Sequence, residues 1–110
     1  AVWVSNHSGR QCDGGLSSIE TLPGIRKAVG DSFPLIFDSG VEGGLDILRA
    51  IALGANFVML GRAFHYALAA LGKKGFEQMA FILSDDINTN MYQMGIEELS
   101  QSSDRIIKRD

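Results

Sequence analysis

Residues 34–62, PLIFDSGVEGGLDILRAIALGANFVMLGR, decide how this chain folds. Two apolar runs, PLIF at 34–37 and FVML at 57–60, flank a segment in which Leu45, Ile47, Leu48, Ile51, Ala52 and Leu53 make a broad apolar helical face. Neither run alternates apolar with polar residues, the pattern of strands buried on both faces of a parallel sheet. Gly54 falls where a helix needs a residue beyond its C-cap. The stretch therefore reads strand, helix, strand, the βαβ unit of a parallel α/β fold.

Working outward, AVWV at 1–4 is a third run of the same kind. SSIETLPGIRKAVG at 17–30 connects it to PLIF: Ser17 or Ser18 caps a helix, Glu20 lies in its first turn, and Gly30 follows its end. Pro23 and Gly24 predict that this helix is kinked or starts late. Beyond FVML, GRAFHYALAALG gives a short helix ended by Gly72. A longer helix spans about 75–94, with Phe76, Met79, Leu83 and Ile87 on one face and Gly95 closing it. Residues 96–110 read as a polar tail with one or two helical turns.

Composition narrows the function classes. The length of 110 residues accommodates one small domain, and 45% apolar with 21% charged residues is globular composition, which argues against disorder. Net charge is −3 without a basic run, so nothing invites nucleic acid. Cys12 is the single cysteine, which excludes an internal disulfide, fits a reducing compartment and is taken as inert. No apolar stretch approaches the roughly 20 residues needed to span a bilayer. The chain opens inside an apolar run without a preceding turn or an initiator Met, so it is expected to be one partial domain of a longer protein.

The informative residues follow the strands. Ser5, Asn6, His7 and Arg10 follow the first run; Asp38, Ser39 and Gly40 the second; Gly61 and Arg62 the third. In a parallel array these positions share the carboxyl ends of the strands, where α/β folds place their sites. Taken singly, each residue has a bland reading. His7 serves equally as a turn histidine or as a base, Arg10 as a surface residue, and Asp38 as a cap for the turn after it. Gly40, Gly43 and Gly44 make a flexible turn or let backbone N–H groups approach an anion at a helix start. Arg62 has the fork for a phosphate. Met59, Met79, Met91 and Met94 read as core filler, Asp85–Asp86 as a solvated helix face, and His65 as structural.

Two segments carry a resemblance. SNHSGRQ at 5–11 is similar to the SNHGGRQ or SNHGARQ signature of the FMN-dependent α-hydroxy acid oxidases and dehydrogenases. DSGVEGGLDILRAIALGANFVMLGRAFHYALAALG at 38–72 resembles the segment that follows that signature, and the order holds to about residue 95. Within the family, DSG, GLD, IALGA and the GRAF segment look most like the respiratory L-lactate dehydrogenases, with mandelate dehydrogenase the rival. The resemblance implies a (β/α)8 TIM barrel of which this chain supplies the last three strand–helix units. It implies His7 as the base that takes a proton from a small L-2-hydroxy acid while two electrons pass to FMN, and Arg10 as the substrate-carboxylate clamp. Ser5 would lie near the flavin ring; Asp38, Ser39, Gly40, Gly61 and Arg62 would hold the ribityl chain and phosphate. The parent enzyme would be cytoplasmic, associated peripherally with the inner face of the cell membrane.

Two positions depart from the family pattern. Ser8 stands where the signature has glycine, and Glu42 where an arginine is expected to meet the FMN phosphate. A carboxylate beside a phosphate dianion is repulsive. Three strands would also leave open edges. The chain alone is accordingly expected to self-associate as a homo-oligomer, to hold FMN poorly and to be inactive. The competing reading is a non-catalytic, self-associating half-barrel remnant.

Overall fold

Each apolar run forms a strand, and the glycine that follows each connecting helix ends it. The computed structural model describes residues 1–106. Its order is β1 (Val2–Val4), a 3-10 turn at His7–Gly9, α1 (Ser18–Val29), β2 (Leu35–Phe37), α2 (Gly44–Ala52), β3 (Phe57–Val58), α3 (Arg62–Leu71), α4 (Lys74–Met94) and a second 3-10 segment at Leu99–Asp104. The strands form one parallel sheet in the order β1-β2-β3, with Trp3 opposite Ile36 and Ile36 opposite Phe57. Three parallel strands joined by helices confirm the α/β reading.

Alternation along the strands sorts their side chains by face. Val4, Leu35 and Phe37 turn toward the helices and build the core with Leu22 of α1, Ala50 of α2, Val41 and Ala55. The row Trp3, Ile36 and Phe57 occupies the opposite face, where Trp3 is 55% and Phe57 62% exposed. The expectation of strands buried on both faces therefore holds for only one face here. Residues on the other face are also apolar, which is why no alternation was visible. Met59 is exposed rather than core filler.

Helix α1 starts at Ser18 and runs through Pro23 as one element, so it does not start late. Glu20 reaches back to accept hydrogen bonds from the Ser17 backbone N–H, at 2.9 Å, and from the Ser17 hydroxyl. Those two bonds, the hydroxyl's first, hold the Glu20 carboxyl below its ordinary pKa. Near the other end of α1, the Arg26 fork donates to the carbonyls of Gly30 at 2.6 Å, Phe33 at 2.8 Å and Gly54 at 2.6 Å, and to Asn56 Oδ1 at 2.8 Å. This one guanidinium ties α1 to the segments entering β2 and β3.

Helix α4 locks α2 in place. Asp86 Oδ2 accepts a hydrogen bond from the Gly44 N–H at the start of α2, and Asp86 Oδ1 accepts one from Asn90 at 2.9 Å. Asp86 thus belongs to a helix contact, not to a solvated face. The reason for Gly44 is close approach: a Cβ there would stand 2.5 Å from the Ile87 backbone nitrogen. Gly75 plays the same part between α4 and α3, facing the Ala67 carbonyl. Beyond α4, Leu99–Asp104 packs on α2, with Ile96 and Ser102 buried. Of the 96–110 tail, residues 107–110 lie outside the described residues.

Candidate functional site

Parallel strands bring their carboxyl ends to one rim, and the residues at that rim are polar. Ser5, His7 and Arg10 leave β1, Asp38, Ser39 and Gly40 leave β2, and Gly61 and Arg62 follow β3. A cavity of about 300 Å³ gathers His7, Arg10, Asp38 and Arg62, with Ser39, Gly40 and Gly61 in its wall. Ser5 is the one candidate outside that lining. It accepts a hydrogen bond from the His7 N–H at 3.2 Å and approaches the Ser39 hydroxyl at 3.4 Å.

The loop that carries His7 is held in an uncommon backbone conformation. His7, Ser8 and Gly9 have φ of 53°, 55° and 74°, all in the left-handed region. The turn is fastened by the Gly9 N–H to the Asn6 carbonyl at 3.0 Å, the Arg10 N–H to the His7 carbonyl at 3.2 Å, and the Ser8 N–H to the Ser39 hydroxyl at 3.2 Å. These bonds aim His7 and Arg10 into one cavity from a single short loop. Nothing lies within 4 Å of where the Gly9 Cβ would be, so strain here is conformational and not steric crowding. Ser8→Gly is expected to stabilise the chain by about 1 kcal/mol, because glycine adopts this φ without penalty. A rise in the urea midpoint at unchanged m-value checks it.

Asp38 does not cap the following turn. Its Oδ2 accepts from the Trp3 indole N–H at 3.0 Å and its Oδ1 from the Ser39 hydroxyl at 2.6 Å. Trp3, Asp38, Ser39 and Ser5 thus join the first two strand ends into one network. Trp3 was missed from sequence, although its period-two relation to Ser5 puts both on the open face. His65 was read as structural, yet it is exposed and lines the cavity with His7, one turn along α3 from Arg62. An adjoining cavity of about 400 Å³ shares Arg62, Ser39 and Gly40 but not His7 or Arg10.

Charge at the β3 end is balanced internally. Glu42 Oε1 lies 3.8 Å from Arg62 Nη2, with both side chains more than half exposed. The Gly44 N–H, a candidate anion donor, is taken by Asp86. Among the described residues no cluster of His, Cys, Asp and Glu could hold a metal, and no helix is long and apolar enough to cross a membrane.

An α/β sheet with an imidazole, two guanidinium forks and a carboxylate around one cavity at its strand carboxyl ends has a layout suited to a small anion. Residues 1–109 match the family described as FMN-dependent dehydrogenase, and the chain belongs to that family. It is 46% identical over 108 residues to L-lactate dehydrogenase of Caulobacter sp. (strain K31), covering 98% of this chain and 28% of that protein. To L-lactate dehydrogenase of Alcaligenes faecalis it is 43% identical, over 99% of this chain and 29% of the relative. A soluble mutant of the membrane-associated (S)-mandelate dehydrogenase from Pseudomonas putida superposes with TM-score 0.88 at 40% identity, covering 94% of this chain and 30% of that one. The chain thus spans less than a third of the length of these relatives.

The family's cofactor can be tested against these residues. Asp38 and Ser39, both in the wall of the smaller cavity, offer a carboxylate and a hydroxyl suited to a ribityl chain. The phosphate end does not fit: its arginine already faces Glu42, and the nearby helix-start amide already has a carboxylate.

Proposed function

We propose that this chain is the C-terminal catalytic portion of an FMN-dependent dehydrogenase of small L-2-hydroxy acids, with lactate favoured. In this reading its three strand–helix units close a (β/α)8 barrel as one partial domain. The single observation that carries it is the convergence of His7 and Arg10 on one cavity at the strand carboxyl ends. Arg10 binds the substrate carboxylate through its fork and fixes the α-carbon. The His7 imidazole then takes the substrate proton as general base. Asp38, tied to Trp3 and Ser39, holds the neighbouring strand end in register with the base loop. Ser39, Gly40, Gly61 and Arg62 complete the wall toward the cofactor side, and Ser5 supports it by accepting the His7 N–H.

The exposed row of Trp3 and Phe57 and the unpaired edges of β1 and β3 favour self-association of the isolated chain, without turnover. The likeness to a mandelate dehydrogenase described as membrane-associated supports a parent that sits at a membrane, which this reading puts on the cytoplasmic side. The alternative, a non-catalytic remnant, is favoured by the Glu42–Arg62 contact.

A chimera decides between them: this chain replaces the segment it matches in the Caulobacter L-lactate dehydrogenase. The folded chimera is expected to oxidise L-lactate, and His7→Gln to lower kcat by about 10³-fold. Arg10→Met is expected to raise KM as well. A folded chimera inert toward lactate, mandelate and glycolate overturns the enzyme reading in favour of the remnant. A monodisperse monomer of the isolated chain with flavin absorbance overturns the expected self-association.

A further inference from the structure

Glu42 is placed to decide which anion the β3 end accepts. Its carboxylate stands 3.8 Å from the Arg62 guanidinium, while its own backbone N–H is held by Asp46 Oδ2 at 3.1 Å. That bond anchors the Glu42 backbone beside α2 and sets its exposed side chain within reach of Arg62. Arg62 begins α3 and is the guanidinium common to both cavities, joined by Arg10 in the smaller and Arg49 in the larger. Around it the balance is acidic: Glu42 faces it directly, Asp38 and Asp46 line the same two cavities, and Asp86 occupies the Gly44 N–H. Arg49, the other guanidinium of the larger cavity, already pairs with Asp46 at 3.3 Å.

From this we propose that Glu42 is a specificity-determining residue that makes this end of the site indifferent to a flavin's phosphate. The inference rests on the reading that the site takes a flavin. A phosphate dianion reaching Arg62 must displace the Glu42 carboxylate and then remain beside it, whereas a flavin without phosphate meets no such cost. An exposed ion pair is individually weak, so Glu42 does not close the cavity. What it removes is the net positive potential that would distinguish FMN from riboflavin. Recognition at the ring and ribityl hydroxyls, through Asp38 and Ser39, is common to both.

The test compares the wild-type chain with E42Q and E42R, using FMN, riboflavin and inorganic phosphate as probes. Flavin fluorescence gives the two dissociation constants, and the side-chain NMR signal of Arg62 reports phosphate. The wild-type chain is expected to bind FMN and riboflavin with similar affinity. E42R is expected to shift the ratio toward FMN by on the order of tenfold, with E42Q between and riboflavin unchanged. A wild-type preference for FMN, or a ratio that E42R leaves alone, overturns the proposal. If no variant binds either flavin, the flavin reading fails for this chain and phosphate alone decides the role of Glu42. Phosphate should then move the Arg62 signal in E42Q and E42R far more than in wild type, and equal movement in all three overturns it.

Discussion

Arg26→Ala is expected to destabilise the chain by about 3 kcal/mol, a large share of the roughly 5–15 kcal/mol that holds a domain folded. The guanidinium donates to the carbonyls of Gly30, Phe33 and Gly54 and to the Asn56 side chain, which itself accepts from the Leu35 N–H at 2.9 Å. Alanine leaves the part-buried Gly54 carbonyl and three exposed acceptors without their charged donor and loosens the entry of β2 and β3 together. Hydrogen bonds to a charged group contribute about 1.5–3 kcal/mol each, though not additively. Arg26→Lys keeps the charge but not the fork, so its loss should fall between. Urea unfolding followed by far-UV circular dichroism checks the order, and an Ala variant within about 1 kcal/mol of wild type would sink the assignment.

Gly44→Ala is the second large effect expected, through crowding instead of lost bonds. The added Cβ would stand 2.5 Å from the Ile87 nitrogen and 2.8 Å from the Asp86 carbonyl carbon, both backbone atoms of a long helix that cannot step aside singly. Either α4 moves off α2 or the first turn of α2 unwinds, and both routes strain the Asp86 bond to the Gly44 N–H. Overpacking of this kind costs about 1–3 kcal/mol, with the compromised bond added to it. Gly24→Ala supplies the contrast. Gly24 lies within α1 with nothing within 4 Å of its would-be Cβ, so that change should be neutral or stabilising by up to about 1 kcal/mol. Matching losses at positions 44 and 24 would contradict the close-approach explanation.

Those two residues also mark the boundary of what the sequence makes legible. Strand positions, the glycines ending α1, α2 and α3, and the polar strand ends are written locally, in runs and periods that neighbouring residues complete. The convergence of His7, Arg10, Asp38 and Arg62 followed from parallel topology alone. Contacts made by tertiary approach left no local trace. Asp86 meets Gly44 across 42 residues, Trp3 meets Asp38 across 35, and Arg26 meets Gly54 across 28. Gly43 and Gly44 therefore looked like an anion loop, when Gly44 marks where a second helix comes close. The serine in place of glycine at position 8 was legible as a departure, and its positive φ gives that departure a physical meaning.

The clasp on α2 bears on how the chain folds as it is made. Helix α2 is covered from one side by α4 and from another by Leu99–Asp104, with Ile96 and Ser102 buried beneath. During synthesis the sheet and α1 have emerged from the ribosome while those covering residues are still inside the exit tunnel. Helix α2 can pack Ala50 on the sheet, but its other side stays wet until about fifty further residues have been added. The order of translation therefore leaves the second crossover half-covered until the end of α4 and Leu99–Asp104 arrive to close it.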